Sequence, residues 1–390
     1  MREDLKRKLD DSVPEDVTLS DAKKRQILMA AQERSGERKP SRVPKFLPAL
    51  AGVAVMGLAG VLGYPYMSDW QEQSALEELG LVPQELIVAG HAYPNLITSV
   101  YDDERDALVY NSNGKLYAFD AADKTETVLV NLEEGAQTYE FVVEGDWLAW
   151  EVDLDDSAAI EIMDLETNER KVIQSRLVFD LNISRNYLIY AGFEGKEKQP
   201  SYKMVDLLTM EKTRLHELIH DGGNSGASVW QNSIVIPERV IEEDKTITSF
   251  SVYDLDENSL EAQFTLPYER AENVILMDNK VFAQLSDEEL TATDLGYMDL
   301  ETGEFVKIET PDFDAYAVYG EYVALSVADG NDSNDVELFR LKGEELLEVP
   351  AFAGIEERLV KPRFTEEGKL IVNGEREDRA MYILDVGTVE

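Results

Sequence analysis

The sequence predicts an all-β fold, a seven-bladed β-propeller with four-stranded blades, preceded by short cytoplasmic helices and one transmembrane helix. A strand that ends in a short acidic turn recurs seven times, at steps of 41 to 48 residues. Each repeat holds several short β-type runs, which is typical of one propeller blade. Before the repeats, residues 46–68 form an apolar stretch that carries no charge, as a membrane span requires.

The composition excludes several classes of protein and site. The 390 residues include 79 Asp or Glu against 37 Lys or Arg, and the formal net charge is -42. Hydrophobic residues at 44% supply enough apolar surface for a folded core. Since there is no cysteine, the sequence excludes a disulfide scaffold, a thiolate zinc site and a cysteine nucleophile. So acidic a chain is not expected to bind nucleic acid, whose phosphates would repel it.

The charges divide the chain into segments of different electrostatic character. Residues 1–45 carry 12 basic and 9 acidic side chains, whereas residues 69–390 carry 25 basic and 70 acidic ones. We therefore predict a basic cytoplasmic helical segment at 1–45 and a transmembrane helix at 46–68. An acidic linker at 69–81 and an extracytoplasmic propeller at 82–390 follow.

The uncharged stretch is long enough to cross a bilayer. A helix over residues 46–67 would span about 33 Å, against a hydrocarbon core of about 30 Å. Five basic residues lie just before it, and after it no Lys or Arg occurs until Arg105. This asymmetry predicts a single-pass protein of the cell membrane with its N-terminus in the cytoplasm and its C-terminal part outside. A cleaved signal peptide and a buried core helix are the alternatives, but 45 residues make a long leader.

The repeated turn is centred on an acidic residue in all but one of its occurrences. The seven occurrences are Phe119-Asp120, Met163-Asp164-Leu165, Val205-Asp206-Leu207, Tyr253-Asp254-Leu255, Met298-Asp299-Leu300, Phe339-Arg340-Leu341 and Leu384-Asp385-Val386. Within one unit, β-type runs are expected at residues 138–143, 147–152, 159–165 and 170–173. A solenoid would need shorter units and a sandwich would not repeat, so the pattern favours a propeller.

The last repeat is one strand short. The chain stops at Glu390, soon after the strand that contains Tyr382, and no fourth run follows. The β-type run at residues 85–89 precedes the first blade and belongs to no unit. A lone blade exposes open edges and apolar faces, which a closed ring covers. We therefore predict that residues 85–89 supply the missing outer strand and close the ring as a clasp.

The blade period and the strand-Asp-Leu-x-Thr turn resemble those of the seven-bladed propellers of TolB-like and related extracytoplasmic families. The resemblance covers about 300 residues, and what it implies is architecture: a ring of blades with a central channel. The paired Gly-His and Trp-Asp marks of WD-repeat proteins are absent.

Residues 1–45 contain two short helical patterns. One places Leu5 and Leu9 on one side, and the other starts near Ser20-Asp21 and carries Ile27 and Ala30 between basic residues. Such a helix could lie on anionic lipid or serve as a docking peptide for a cytoplasmic protein. A short helical tail, one span and a large outer domain resemble the layout of membrane-bound anti-sigma factors of Gram-positive bacteria. The His and Cys signature of their zinc-binding form is missing.

One segment has the letters of a zinc protease motif. His216-Glu217-Leu218-Ile219-His220 fits H-E-x-x-H, which binds zinc when both histidines share one face of a helix. The repeat register instead places residues 213–215 on the fourth strand of a blade. The two histidines should then lie at a strand end and in the following link, so we predict no zinc site.

Two acidic clusters have oxygen donors spaced as in a calcium loop. They are residues 329–335 and the group Asp153, Asp155 and Asp156. The first lacks the glycine and the glutamate that such a loop needs, and both are expected at solvated hairpin turns. No phosphate loop, dinucleotide fingerprint or Ser-His-Asp set appears. We predict no catalytic, cofactor-binding or metal-binding residues.

These observations favour a non-enzymatic envelope protein. In the first hypothesis the propeller binds an external ligand or partner, and the tail regulates a transcriptional partner inside, as an anti-sigma factor does. In the second, the propeller is an anchored scaffold or assembly factor whose tail only sets the topology. A propeller hydrolase is the third. Ligands of propellers usually bind at one mouth of the central channel, but the fold alone does not assign a function.

Overall fold

The structure is a computed structural model, and it describes residues 81–88, 95–133, 138–154, 157–193, 197, 199–219, 225–242, 245–287, 293–328, 334–375 and 380–387. The described residues form 28 strands in seven four-stranded antiparallel sheets, with no helix among them. In this part of the chain no helix of sufficient length and hydrophobicity to cross a membrane occurs. The predicted helices of residues 1–45 and the predicted span at 46–68 lie outside the described residues, as does most of the linker.

Each blade is built from four strands that pair in chain order. Blade 1 contains β2 (Asn95–Asp102), β3 (Ala107–Ser112), β4 (Lys115–Asp120) and β5 (Glu126–Asn131). Blade 2 contains β6 (Phe141–Glu144), β7 (Trp147–Leu154), β8 (Ser157–Asp164) and β9 (Arg170–Ser175). Blade 3 contains β10 (Leu177–Ser184), β11 (Tyr187–Phe193), β12 (Ser201–Asp206) and β13 (Lys212–Glu217).

The next three blades repeat this arrangement. Blade 4 contains β14 (Ser228–Trp230), β15 (Ser233–Glu242), β16 (Lys245–Asp254) and β17 (Ser259–Leu266). Blade 5 contains β18 (Arg270–Met277), β19 (Lys280–Ser286), β20 (Thr293–Asp299) and β21 (Phe305–Ile308). Blade 6 contains β22 (Phe313–Tyr319), β23 (Tyr322–Ala328), β24 (Asn334–Lys342) and β25 (Glu345–Val349).

Blade 7 combines both ends of the repeat region. It contains β26 (Leu359–Phe364), β27 (Lys369–Gly374) and β28 (Ala380–Asp385), and its outer strand is β1 (Gln84–Ile87). Strand β1 pairs antiparallel with β28, so that Glu85 faces Tyr382. This pairing confirms the predicted clasp, which lies at 84–87 within the described residues. A strand from before the first blade thus completes the last one.

The core lies between the blades and is divided into seven apolar clusters. Each cluster joins residues of two neighbouring blades, and we call each of these interfaces a seam. The seam between blades 7 and 1 contains Leu86, Val88, Leu108, Tyr110, Ile371 and Met381. Because this seam is as apolar as the other six, the ring is closed and no blade face is left open.

The burial of each strand follows from its place in the blade. The second strand β11 is buried at five successive positions from Leu188, since both of its faces pack against neighbouring blades. The outer strand β9 instead keeps only Ile173 fully buried. Continuous apolar runs are therefore typical of the middle strands, and a weak alternation of apolar and polar residues is typical of the outer strands.

The residues of the repeated turn satisfy backbone N–H groups that would otherwise lack hydrogen-bond acceptors. In blade 5, Oδ1 of Asp299 accepts the N–H groups of Glu301 and Thr302, at 3.0 and 2.9 Å. These hydrogen bonds lower the pKa of Asp299, with the Thr302 N–H contributing most. The N–H of Leu300 donates to the carbonyl of Asn279, in the turn between the first two strands. Aspartate thus caps one turn and the following leucine links it to another.

The leucine of this turn is expected to matter for stability through its burial. Leu207 is fully buried in the seam between blades 2 and 3, whereas its neighbour Leu208 is 65% exposed. Leu207→Ala should lower the free energy of unfolding by about 2–5 kcal/mol. The control Leu208→Ala should change it by less than about 0.5 kcal/mol. Urea unfolding measures both, and equal losses would contradict this assignment of the turn.

Candidate binding site at the channel mouth

Two adjoining cavities open in the central channel, between the first strands of the blades. The larger has a volume of about 430 Å³ and is lined by blades 1, 2, 3, 4 and 7. The smaller has a volume of about 330 Å³ and is lined by blades 4, 5, 6 and 7. Five residues line both cavities, namely Val229, Arg363, Phe364, Thr365 and Glu366. All seven blades therefore contribute to one continuous depression.

The first strands are bent before they reach the cavities. In β10, β18 and β26 the pairing register shifts next to a residue in the left-handed conformation, which is Asp180, Asn273 or Lys361. Such a bulge inserts an extra residue and redirects the side chains that follow it. In β26 the bulge comes directly before Pro362 and Arg363, both of which line the smaller cavity.

The larger cavity is rich in carboxylates near the turns that join the first and second strands. We use the term acidic mouth for five of them, which come from three blades: Asp103, Glu104, Glu144, Glu366 and Glu367. Asp102 also lines this cavity but is not included, because its side chain is buried and pairs with Arg105 at 3.2 Å. The acidic mouth concentrates negative charge at one end of the channel.

Two carboxyl groups of the acidic mouth hydrogen-bond to each other. Burial raises the pKa of Glu144 to about 8, and the negative charge of Glu366 and the hydrogen bond to it add to the rise. Burial also raises the pKa of Glu366. Two carboxylates in contact cannot both ionise without strong repulsion. Glu144 and Glu366, from blades 2 and 7, therefore share a proton at neutral pH.

One cation of the chain already lies beside the acidic mouth. The Nζ of Lys369 is 3.3 Å from Oδ1 of Asp103 and 3.0 Å from Oδ1 of Asp106. It also lies 4.7 Å from the centre of the Tyr101 ring. Among the described residues, no Lys, Arg or His forms an ion pair with the other four carboxylates of the acidic mouth.

Arg363 is partly buried, lines both cavities and has no carboxylate partner among the described residues. Its guanidinium donates to the carbonyls of Leu96, Ser99 and Lys361, to Oγ of Ser99 and to Oδ1 of Asn373. Burial lowers the pKa of Arg363 to about 10. These bonds tie blade 7 to blade 1, so the role of Arg363 is to hold this seam together.

The proton shared by Glu144 and Glu366 predicts a pH effect on stability. A carboxyl group with a raised pKa keeps its proton in the folded state while the unfolded chain loses it. The protonated Glu144 carboxyl group therefore makes its full contribution to the stability of the fold below about pH 4.5, and this contribution is lost as the pH rises toward 8. Glu144→Gln should raise the thermal midpoint relative to the wild type, increasingly from about pH 5 to about pH 8. A difference that does not vary with pH, as expected for the exposed control Glu301→Gln, would contradict the shared proton.

A second buried acidic network lies near the start of the first strands. The carboxylate of Glu140 accepts the N–H groups of Asp180 and Leu181, at 3.0 and 2.6 Å. Asp180 in turn accepts hydrogen bonds from the Tyr202 hydroxyl and the Ala227 N–H, both at 2.6 Å. Burial raises the pKa of Glu140 to about 7. The other oxygen of Asp180, Oδ1, accepts from the side-chain amide of Asn182 at 3.2 Å, and the network connects blades 2, 3 and 4.

The H-E-x-x-H segment is placed as the repeat predicts. His216 is the penultimate residue of β13 and lies on a strand, and His220 is outside the described residues. Nε2 of His216 is 3.1 Å from Oε2 of Glu238, and Nδ1 is 2.9 Å from the Tyr253 hydroxyl. The histidine therefore belongs to a buried contact between blades 3 and 4.

The two acidic clusters that the sequence places at hairpin turns lie only partly within the described residues. Residues 329–333 connect β23 to β24, and Asp335, at the start of β24, is exposed to solvent. Oδ1 of Asp335 accepts the N–H of Leu359, at 2.9 Å, and so joins blade 6 to blade 7. Asp153 lies in β7, and residues 155–156 and 329–333 are outside the described residues. In the described ranges no group of three or more His, Cys, Asp or Glu residues is arranged to hold a metal ion.

No single motif in the sequence points to the acidic mouth. Asp103 and Glu367 are 264 residues apart, and the N–H of Glu367 donates to Oδ2 of Asp103 at 3.3 Å. Asp103 lies one residue after β2 and Glu367 three residues after β26, so both belong to the turn between the first and second strands of their blades. Acidic pairs occur in this turn only in blades 1 and 7, as Asp103-Glu104 and Glu366-Glu367, so an alignment of the seven repeats would not have revealed the site.

Comparison with known proteins supports the fold and little beyond it. No family model and no curated protein matches the sequence. A prolyl endopeptidase structure matches with 12% identity and a TM-score of 0.51, over 89% of this chain and 55% of that chain. The β-propeller domain of the Trilobed protease from Pyrococcus furiosus matches with 17% identity and a TM-score of 0.49, over 64% of this chain and 81% of that one.

TolB from Acinetobacter baumannii is also similar, with 11% identity and a TM-score of 0.41, over 71% of this chain and 78% of that one. The chain spans about half the length of the prolyl endopeptidase. At these identities the similarity is one of fold, namely the β-propeller, and activity does not follow from it.

Proposed function

We propose that this chain is a non-enzymatic, single-pass membrane protein whose external propeller binds a cationic ligand or partner at the acidic mouth. Residues 46–68 anchor it in the bilayer, and residues 1–45 act on a transcriptional partner in the cytoplasm, in the manner of an anti-sigma factor. The binding part of the proposal concerns the described residues. The anchor and the tail rest on the charge pattern of the sequence.

The observation that supports the proposal is a cavity of about 430 Å³ lined by six acidic residues and by Arg363. Four of the acidic residues, namely Glu104, Glu144, Glu366 and Glu367, form no ion pair among the described residues. Glu104 and Glu367 are exposed to the solvent in the channel, where a ligand can reach them. Glu366 is buried on the side that contacts Glu144 and is otherwise exposed. Clefts lined by one sign of charge raise the local concentration of the opposite charge. The contact of Lys369 with Asp103 and Tyr101 is an example, within the chain, of how an ammonium group is held here.

Binding of the polyamine spermine to the purified full chain tests the proposal. Calorimetry should detect binding that weakens as salt is added, because the contacts are electrostatic. The double variant Glu366→Gln/Glu367→Gln should weaken binding by at least about tenfold. The matched control Glu301→Gln/Glu304→Gln removes the same charge from an exposed turn of blade 5 and should leave binding unchanged. Equal affinities of both double variants would contradict a site at the acidic mouth.

The shared proton gives this binding a second signature. A cation favours the ionised forms of Glu144 and Glu366 and therefore expels the proton that they share. Spermine affinity should rise from about pH 6 to about pH 8, with proton release detectable in buffers of different ionisation enthalpy. Glu144→Gln should abolish this release.

The role of the tail is tested separately from the binding site. Affinity capture with residues 1–45 as bait should recover a sigma factor if the tail regulates transcription. If no protein is recovered reproducibly, the alternative holds, in which the propeller is an anchored scaffold or assembly factor. The matched control is a bait in which the apolar stripe that contains Ile27 and Ala30 is replaced by serine.

A further inference from the structure

The smaller cavity differs in character from the acidic mouth that it adjoins. Its apolar lining includes Trp230, Ile275, Met277, Tyr316 and Phe364, and we call it the aromatic cavity. Trp230 and Phe364 are only partly buried, so their rings are accessible from the channel. Partly exposed aromatic side chains in a concave site favour the binding of an apolar group.

Trp230 and Phe364, which form the aromatic wall of this cavity, both pack against the ring of Tyr319. Tyr319 lies at the end of β22, with its ring 6.2 Å from that of Trp230, edge-on, and 5.9 Å from that of Phe364. Trp230 and Phe364 are the last residues of β14 and β26, so both lie at the end of the channel where the acidic mouth is. Trp230 and Phe364 are therefore held by Tyr319 before any ligand binds, which reduces the entropy lost on binding.

The two cavities meet at one acidic residue. Glu366 lines both cavities and follows Phe364 by two positions, so charge and aromatic surface are side by side. A ligand with only positive charge would leave the aromatic cavity unused. A purely apolar ligand would gain nothing from the carboxylates and would lie against a proton-sharing pair.

We infer that the two cavities form one composite site for an amphipathic cation, in which an ammonium or guanidinium group is joined by a short linker to an aromatic or alkyl group. The cationic group lies at Glu366 and Glu144, and the apolar group packs on Trp230 and Phe364. This inference rests on the proposed function and narrows its ligand class. The cation can be a basic side chain of a peptide or a small amphipathic amine.

Two short peptides of equal charge distinguish this site from a simple cation site. In one, lysine alternates with phenylalanine, and in the other lysine alternates with serine. The full chain should bind the phenylalanine peptide at least about tenfold more tightly. Phenethylamine against ethylamine makes the same comparison for small amines. Preference in the peptide pair alone assigns the site to a peptide, and preference in both pairs extends it to small amines.

Trp230 supplies both a probe and a variant. Of the four tryptophans, Trp70 lies outside the described residues and Trp147 and Trp150 are 6% and 0% exposed. A blue shift on binding at the aromatic cavity is therefore expected from Trp230. Trp230→Ala should remove the preference for the phenylalanine peptide while spermine still binds. Trp230→Phe, which keeps an aromatic wall, should retain the preference and lose the shift. Leu208→Ala is the matched control, because it removes an apolar side chain from the exposed turn between β12 and β13. It should leave the preference unchanged.

The outcomes separate this inference from the proposed function. If spermine does not bind to the wild type, the acidic mouth is not a cation site and the proposed function fails. If spermine binds but both peptides and both amines bind without preference, the composite site is wrong and the proposed function stands. A preference that survives in Trp230→Ala would also contradict the composite site.

Discussion

Deletion of residues 82–90 is expected to lower the thermal midpoint of the chain more than any single substitution considered above. The deletion removes β1, so blade 7 loses its outer strand and β28 becomes an open edge. It also removes Leu86 and Val88, which are 5% and 4% exposed in the seam between blades 7 and 1. Each buried side chain of this kind contributes about 2–5 kcal/mol, comparable together with the stability of a whole domain.

The effect of the clasp can be separated from that of shortening the chain. Deletion of residues 71–79 removes the same number of residues from the predicted linker and should leave the midpoint unchanged. Leu86→Ala and Ile87→Ala form a matched pair on β1, since Ile87 is 41% exposed. Leu86→Ala should cost about 2–5 kcal/mol and Ile87→Ala less than about 0.5 kcal/mol. An unchanged midpoint in the 82–90 deletion would refute the clasp.

Replacement of Arg363 by methionine is expected to destabilise the seam between blades 7 and 1 by about 3–5 kcal/mol. The guanidinium is the donor for the carbonyls of Leu96 and Ser99 and for Oδ1 of Asn373. Without it, the Ser99 carbonyl and Oδ1 of Asn373 lose this donor, whereas the Leu96 carbonyl keeps those of Ser99 Oγ and Asn373 Nδ2. Each buried acceptor left unsatisfied costs about 1–3 kcal/mol.

Two further variants establish that hydrogen bonding, and not charge, is the cause. Arg363→Lys should recover only part of the loss, because an ammonium group cannot reproduce the planar fork of the guanidinium. Arg340→Met removes an arginine whose side chain is 55% exposed and pairs with Glu321, so it should cost less than about 1 kcal/mol. Urea unfolding gives all three values, and an equal loss in Arg363→Met and Arg340→Met would contradict the role of Arg363.

The blade architecture was predictable because the same local chemistry is needed seven times. Asp299 and Leu300 satisfy turn groups in blade 5, and Asp164 and Leu165 do so in blade 2, with the same hydrogen bonds. A repeated structural need leaves a repeated sequence, so the period and the strand order could be inferred. The clasp was predictable from the number of strands in the last repeat. That repeat supplies only three strands, and a fourth is needed to complete the four-stranded blade.

The acidic mouth was not predicted, because its geometry depends on closure of the ring. Asp103 and Glu367 come together across the seam that β1 completes. The proton shared by Glu144 and Glu366 depends on burial across two blades, and no local pattern reveals it. The acidic run that ends at Asp335 does lie at a hairpin, but its sequence gives no sign that Asp335 accepts an N–H from blade 7. Local sequence determines the turns, and contacts between blades determine the site.

Cross-linking of the two ends of the repeat region tests the central claim, ring closure, most directly. Glu85 faces Tyr382 in the pairing of β1 with β28, and the chain has no cysteine of its own. Glu85→Cys/Tyr382→Cys should form a disulfide on mild oxidation, because facing residues of paired strands lie within the Cα separation that a disulfide spans. The control Glu85→Cys/Glu301→Cys places the second thiol on blade 5 and should stay reduced. A disulfide in the first variant alone is the expected result, and its absence, or equal oxidation of both variants, would contradict the closed seven-bladed ring.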